Sequence, residues 1–483
     1  VEQTPSPAPS LTVNGTISVT ADDWNAGGNW VNAIEIGASG FYQSQVTVGA
    51  TGVLEVVSTV DGAQAMGFFS GSWSPDFTNN GLVDISGHGQ AYGVRSFDSP
   101  FVVINTGMIH VVSTQDATGI GSGNGGPITN SGTIDVTGTG FVRGIQGNGG
   151  TLINSGTIRV DDGGAPGVAS AIIWTGGTIT NTGTISGDEA LNTASVSIDN
   201  SGTMTGAINL GATDSVLTNS GTINGAVSLG AGNDRYDGHA GVLNGALDAG
   251  DGADSVQGGA GAETISGGAG ADTIAGGGGA DRLSGGGGTD HFVLTHGDSG
   301  VDAGMLDVIT DWNASDVITF GTLIGTNGNY FEATAVADYA SALALADARI
   351  ASGASDIVSV VVGGDVVVFA DTANDNGAAD DAVILPGHGL GDVDFTDFGP
   401  LPPPPPPPPP ISPPPISPPP ISPPPISPPP VSPPPVSPPT VSPPPVFGLV
   451  EPTDPSSLIP TTNGARGTVT GNMDDAHLGH LLG

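Results

Sequence analysis

The chain has 483 residues, long enough for two or three folded units. Its 47 Asp plus Glu stand against 7 Lys plus Arg, all seven arginines, for a net charge of -40. That balance excludes nucleic acid as a partner, which needs a basic patch, and it points to divalent cations. With no cysteine, a disulfide framework and a cysteine-based zinc site are excluded as well. Self-repulsion at this charge weakens a compact state unless bound cations offset it, so folding is expected to depend on metal.

Residues Val1 to Ser10 are polar and proline-rich, without the basic stretch and apolar run of a cleavable leader, so that export route is not expected here. No stretch reaches the ~20 apolar residues that span a bilayer. From about Leu11 to Gly225 a phrase recurs, as in Ile128-Thr-Asn-Ser-Gly-Thr-Ile134, Leu152-Ile-Asn-Ser-Gly-Thr-Ile158 and Leu217-Thr-Asn-Ser-Gly-Thr-Ile223. Its glycines, Gly81, Gly107, Gly132, Gly156, Gly183, Gly202 and Gly221, lie 26, 25, 24, 27, 19 and 19 residues apart. Each phrase sets an Asn-Ser-Gly turn between short β-branched stretches, so the spacing predicts a parallel β-solenoid over 11–228, coiling strand, corner, strand. About nine coils would make a rod roughly 40 Å long, with a small, polar outer face.

A sharper repeat follows. Five nonapeptides run unbroken from Ala249 to Val293, each Gly-Gly-x-Gly-x-Asp-x-apolar-x or close to it, and an earlier copy spans Leu229 to Asp237. Glycines that tolerate positive φ let backbone carbonyls converge, and a carboxylate every nine residues adds hard oxygen ligands suited to Ca²⁺. The candidate ligand set is Gly250, Gly252 and Asp254; Gly259, Gly261 and Glu263; Gly268, Gly270 and Asp272; Gly277, Gly279 and Asp281; and Gly286, Gly288 and Asp290. With two nonapeptides per coil, Asp254, Asp272 and Asp290 fall on one edge, and Glu263 and Asp281 on the other. Val256, Ile265, Ile274, Leu283 and Phe292 would fill a thin core, too small to fold alone.

Residues 229–293 resemble the hemolysin-type calcium-binding (RTX) repeat, the parallel β-roll of proteins exported by type I secretion. They depart from it at Glu263, where the family has Asp, and in the degraded stretch Gly238 to Asp248. The resemblance implies Ca²⁺ as the bound ion, an extracellular location and the type I secretion machinery as a partner. Asp307-Val-Ile-Thr-Asp-Trp-Asn-Ala-Ser-Asp-Val-Ile-Thr-Phe320 is similar to the segment that caps the roll in such proteins, where an uncleaved export signal lies near the C-terminus. The Asn-Ser-Gly-Thr-Ile phrases resemble the β-helical stalks of bacterial adhesins.

A cap is expected over 294–399, with strand-like runs at Asp307 to Phe320 and Ile357 to Ala370 and an Ala- and Leu-rich helix from Val336 to Ile350. Asp371 to Asp381 could hold one more calcium or form an ordinary acidic hairpin turn; it departs from the EF-hand pattern at Ala373 and Asn376. The proline tract, 400–446, is a polyproline II stalk reaching roughly 140 Å, and 447–483 is a tail or the start of a cut domain.

The fold class is therefore all-β apart from one helix. Neither a His-Glu-x-x-His zinc motif nor a Gly-x-Ser-x-Gly elbow is present. Ser299 in Gly297-Asp-Ser-Gly300 has no partnered histidine, and His110 and His291 stand alone. Asp161 and Asp162 are adjacent on a strand and so face opposite ways. Trp24, Trp30, Phe68, Phe69 and Trp73 offer either sugar-stacking surface or core. The reading is an extracellular calcium-binding protein with adhesive or structural work at the bacterial surface and no catalytic site, with extracellular polysaccharide a candidate partner. The rival is a carbohydrate-active β-helix enzyme, lyase- or epimerase-like, with an RTX export module.

Overall fold

In the computed structural model, residues 10–21, 30–36, 45–70, 76–164, 169–375 and 377–400 are described; the proline tract, 447–483, Trp24 and Trp73 lie outside them. Valine, isoleucine and threonine alternating with small polar residues produce short strands, and these pair in parallel with the next coil. One sheet of fourteen strands runs from Ser10–Val13 to Val317–Phe320. Nine of its strands, ending with Val216–Asn219, precede the nonapeptides, and the same sheet continues through them.

The solenoid coils as far as Thr175 hold three strands each rather than the expected two. The coil at residues 103–124, for example, contains Val103–Asn105, Met108–Ser113 and Ala117–Asn124. The sheet of fourteen strands is the first face, and the other two strands of each coil build a second and a third. The extra strand escapes a reading of period because its segments, such as Val142–Asn148, are broken by glycines that let it pack under its neighbours. At Gly144 a Cβ would sit 2.5 Å from the carbonyl oxygen of Ala171. Where coils shorten, the second and third faces merge in the long strand Thr184–Ala194, and the second face ends at Val242–Leu243. The nonapeptide coils therefore have two faces.

The corner asparagines point inward. Asn79, Asn105, Asn130, Asn154, Asn181, Asn200 and Asn219 are at most 1% exposed and form one ladder, each side-chain amide donating to the next Oδ1 at 2.7–2.8 Å. A buried amide costs free energy unless its donors and acceptors are met, and stacking identical residues meets them. Phe68 is core, tilted against Phe77 and stacked on Phe101.

One apolar core extends from Val13 through Val256, Ile274 and Phe292 to Phe398, so the thin roll shares its interior with the solenoid and the cap. In the cap, the run 307–320 divides into Asp307–Ile309 and Val317–Phe320, on opposite faces of the roll. Helix α1 spans Tyr339–Ala351, capped by Asp338, and packs on the antiparallel strands Ile357–Val362, Asp365–Ala370 and Asp381–Leu385. No helix among the described residues is long and apolar enough to cross a membrane.

Candidate calcium site

The register of the nonapeptides places residues 18 apart side by side: Gly250, Gly268 and Gly286 align on one face, and Val256, Ile274 and Phe292 on the other. Gly250, Gly252, Gly268, Gly270, Gly277, Gly279, Gly286 and Gly288 all have φ between 92° and 151°. The carbonyl of each turn points at the corresponding glycine of the next. A Cβ on Gly270 would lie 1.5 Å from Gly252 O, and one on Gly288 would lie 1.6 Å from Gly270 O. Glycine is required there by both φ and space, and the result is a file of carbonyl oxygens between stacked turns.

The carboxylates form two further files. On one edge the backbone N–H of Asp254 donates to Asp272 Oδ1 (2.8 Å), that of Asp272 to Asp290 Oδ1 (3.0 Å), and that of Asp290 to Asp316 Oδ1 (3.1 Å). The same edge extends toward the solenoid, Asp234 N–H donating to Asp254 Oδ1 and Ser215 N–H to Asp234 Oδ1, both at 2.7 Å. On the other edge Glu263 N–H donates to Asp281 Oδ1 (2.7 Å) and Asp281 N–H to Asp307 Oδ1 (2.8 Å).

In six of these acids one oxygen is held by an amide while the other has no donor; at the end of the file Asp316 Oδ2 instead accepts from Asn313 N–H and Nδ2. Asp234, Asp254, Glu263, Asp272, Asp281 and Asp290 are 0–4% exposed, and in each the second oxygen is buried without a hydrogen-bond partner. Burial pushes these acids up, to about 6 for Asp254 and about 7 for Asp234, Glu263 and Asp272, with neighbouring carboxylates adding to the shift. Burial likewise raises Asp307 to about 8, and it raises Asp281, Asp290 and Asp316.

A buried anionic oxygen without a donor is costly, and a proton or a hard cation relieves the cost. The residues present fit calcium in that respect. Among the described residues no three acidic or histidine side chains converge as a metal-binding group. Any ion here must therefore draw most of its six to eight oxygens from the glycine carbonyls, with carboxylates supplying the charge.

The turn at Glu263 is built differently. Gly259 and Gly261 lie outside the left-handed region, and their amides bond the Glu263 carboxylate. The longer side chain reaches back into its own turn. Asp234, Asp307 and Asp316 were not among the candidate ligands, although each belongs to a carboxylate file. Their signal was the triplet Asp-x-apolar, which Asp307-Val-Ile309 and Asp316-Val-Ile318 share with Asp272-Thr-Ile274. The 26-residue step from Asp281 to Asp307 and from Asp290 to Asp316 hid it.

The remaining candidates are engaged elsewhere. Ser299 is 1% exposed; its hydroxyl donates to Ala382 O and accepts from Asp307 N–H. Asp381 accepts the amides of Gly297, Ser299 and Gly300, and the stretch from Asp371 closes an antiparallel hairpin. Asp161 pairs with Arg159 at 2.8 Å, whereas Asp162 is buried and accepts from Gly164 N–H, so the two face apart. His110 bonds Asp84 at 2.8 Å on the surface.

A stack of two-nonapeptide coils with glycine turns and inward acids defines a β-roll. Residues 246–274 and 257–292 match the family model of the RTX calcium-binding nonapeptide repeat, in four copies. The chain carries hemolysin-type RTX repeats, and calcium is the ion such repeats bind. A search of curated proteins finds no match to the chain.

Proposed function

We propose that this is an extracellular protein in which calcium fastens the roll and so completes a rod that does adhesive or structural work at the bacterial surface, after export by type I secretion. The observation that carries the reading is the set of six buried carboxylate oxygens without donors, beside stacked glycine turns whose carbonyls point at the next coil. The RTX repeats support secretion, since proteins bearing them are typically exported. Asp254, Asp272 and Asp290 on one edge and Asp281 on the other, with the carbonyls of their glycine turns, are the proposed ligands; Glu263 contributes charge through a differently built turn. Bound calcium would supply positive charge and oxygen coordination between the turns, and where calcium is scarce the roll stays loose.

The test is a calcium titration of the full chain, freed of metal by chelator, followed by circular dichroism and by a calcium-selective electrode with excess magnesium present. Saturable uptake of several calcium ions with a gain of β signal is expected. Absence of both, or equal effect from magnesium, contradicts the reading.

A further inference from the structure

One carboxylate file of the roll reaches into the solenoid. Ser197, Val216, Arg235 and Ser255 stand in register on successive coils, so the residues before them, Val196, Ser215, Asp234 and Asp254, form one file. Val196 is apolar, and Ser215 is buried with its hydroxyl on Thr213 O at 3.0 Å, which makes Asp234 the first acid of this edge. On the opposite edge the position one coil before Glu263 is Gly245, without a side chain. The two edges therefore differ where the solenoid meets the roll.

Two turns face each other there, Gly211 to Ser215 and Gly230 to Asp234, and each holds the other's carboxylate. Ser215 N–H donates to Asp234 Oδ1 at 2.7 Å, and Asn233 N–H donates to Asp214 Oδ1 at 2.8 Å. No later turn repeats this clasp, because the place of Asp214 is taken in turn by Asn233, Ala253, Ala271 and Thr289. Asp234 is 2% exposed, and its Oδ2 is buried without a partner. Gly211, Gly230 and Gly232 have φ of 73°, 106° and 123°, and a Cβ on Gly230 would lie 1.7 Å from Gly211 O, so the carbonyl file also begins in the solenoid. Gly211 O and Gly230 O each accept one amide at 2.9 Å, from Ala231 and Asp251, which leaves each a second lone pair. Arg235 is paired with Asp237 at 2.8 Å, and among the described residues neither Asp214 nor Asp234 has a basic partner. Asp248 and Asp251, both exposed, add to the negative field.

We propose that a calcium ion binds between these two turns, upstream of the residues that match the repeat family, and that it is the first and tightest ion the chain takes up. Asp234 and Asp214 supply two negative charges at positions where each later turn supplies one or none, and the carbonyls of Gly211 and Gly230 supply neutral oxygens. Calcium affinity rises with the number of charged ligands and with the rigidity of the site. One wall of this site is a solenoid coil already fixed by the bond from Asn200 to Asn219 at 2.8 Å, so less chain has to be ordered on binding than in the roll. The roll then builds outward from a fastened first turn. The proposal deepens the calcium reading and rests on it for the identity of the ion.

The test titrates the full chain, stripped by chelator, with calcium in excess magnesium, counting bound calcium by flow dialysis and following amide exchange at each step. In wild type, residues 229–237 are expected to become protected at lower free calcium than residues 264–294. D234N is expected to bind one ion fewer and to lose the tightest phase, and D214N to weaken that phase about tenfold. D272N, in the roll, keeps the tightest phase and loses an ion from the weaker ones. The proposal is overturned if residues 264–294 are protected at calcium as low as residues 229–237, if D234N keeps the wild-type count, or if D214N leaves the tightest phase unchanged. A D234N chain that lost every ion would leave the order of protection in wild type to decide. Wild type that takes up no calcium overturns the calcium reading as well, whereas uptake undiminished in D234N overturns this proposal alone.

Discussion

The backbone N–H of Asp272 donates to Oδ1 of Asp290, 3.0 Å away and one coil further along, while the other oxygen of Asp290 is buried with no donor at all. The coil geometry thus orients each carboxylate through one oxygen and leaves the second available to a cation between the turns. Asparagine in place of Asp272 keeps the oriented oxygen and removes the anionic one. D272N is therefore expected to leave the chelated protein as stable as wild type or more so, while losing on the order of 1–3 kcal/mol of the stabilisation that calcium confers. Thermal melts of both proteins in chelator and in calcium check this; a loss of stability in chelator alone contradicts it.

Acidity should stand in for the ion. The folded-state values of Asp234, Asp254, Glu263, Asp272 and Asp307, about 6 to 8, lie above the ~4 of an unfolded carboxyl, so the folded chain binds more protons between those limits. Metal-free stability is then full below about pH 4 with respect to these groups, falls as pH rises toward about 8, and levels beyond. Urea unfolding in chelator should show a higher midpoint at pH 5 than at pH 7.5, and calcium should raise the midpoint more at pH 7.5. A midpoint that rises with pH in chelator contradicts this account.

Two glycines of the roll should respond oppositely. At Gly270, with φ 140°, a Cβ falls 1.5 Å from Gly252 O, so Gly270→Ala is expected to cost at least about 2 kcal/mol. Gly287 has nothing within 4 Å of that position and an ordinary φ, and Gly287→Ala should fall within about 0.5 kcal/mol of wild type. Denaturant midpoints in calcium distinguish the pair.

The asparagine ladder should act without regard to calcium. Asn154 accepts from Asn130 and donates to Asn181, with its amide also near the carbonyls of Gly156 and Thr184. Asn154→Ala leaves buried partners unmet and is expected to cost about 2–3 kcal/mol, equally in chelator and in calcium. A cost that appears only in chelator would mean that the solenoid leans on the ions.

The roll was legible in the sequence because three periods coincide in it: glycine, acid and the apolar file Val256, Ile265, Ile274, Leu283 and Phe292, which the structure buries together. The solenoid's corner glycines were legible for the same reason. The inward turn of Asn154 and its partners was not, because asparagine before Ser-Gly reads as a turn residue, and only stacking on its own copies in adjacent coils meets its polar groups. The third strand of the longer coils was lost among glycines that pack beneath neighbouring backbone. Asp307 and Asp316 broke the 18-residue step although they kept their place in the carboxylate files.

Amide hydrogen exchange of the full chain, in chelator and then in calcium at neutral pH, reaches the central claim most directly. Residues 249–293 should exchange fast in chelator and become strongly protected in calcium, the amides of Asp254 and Asp272 among them, while Asn130 to Asn219 change little. Equal protection of the roll with and without calcium would show that its stacked carboxylates need no ion.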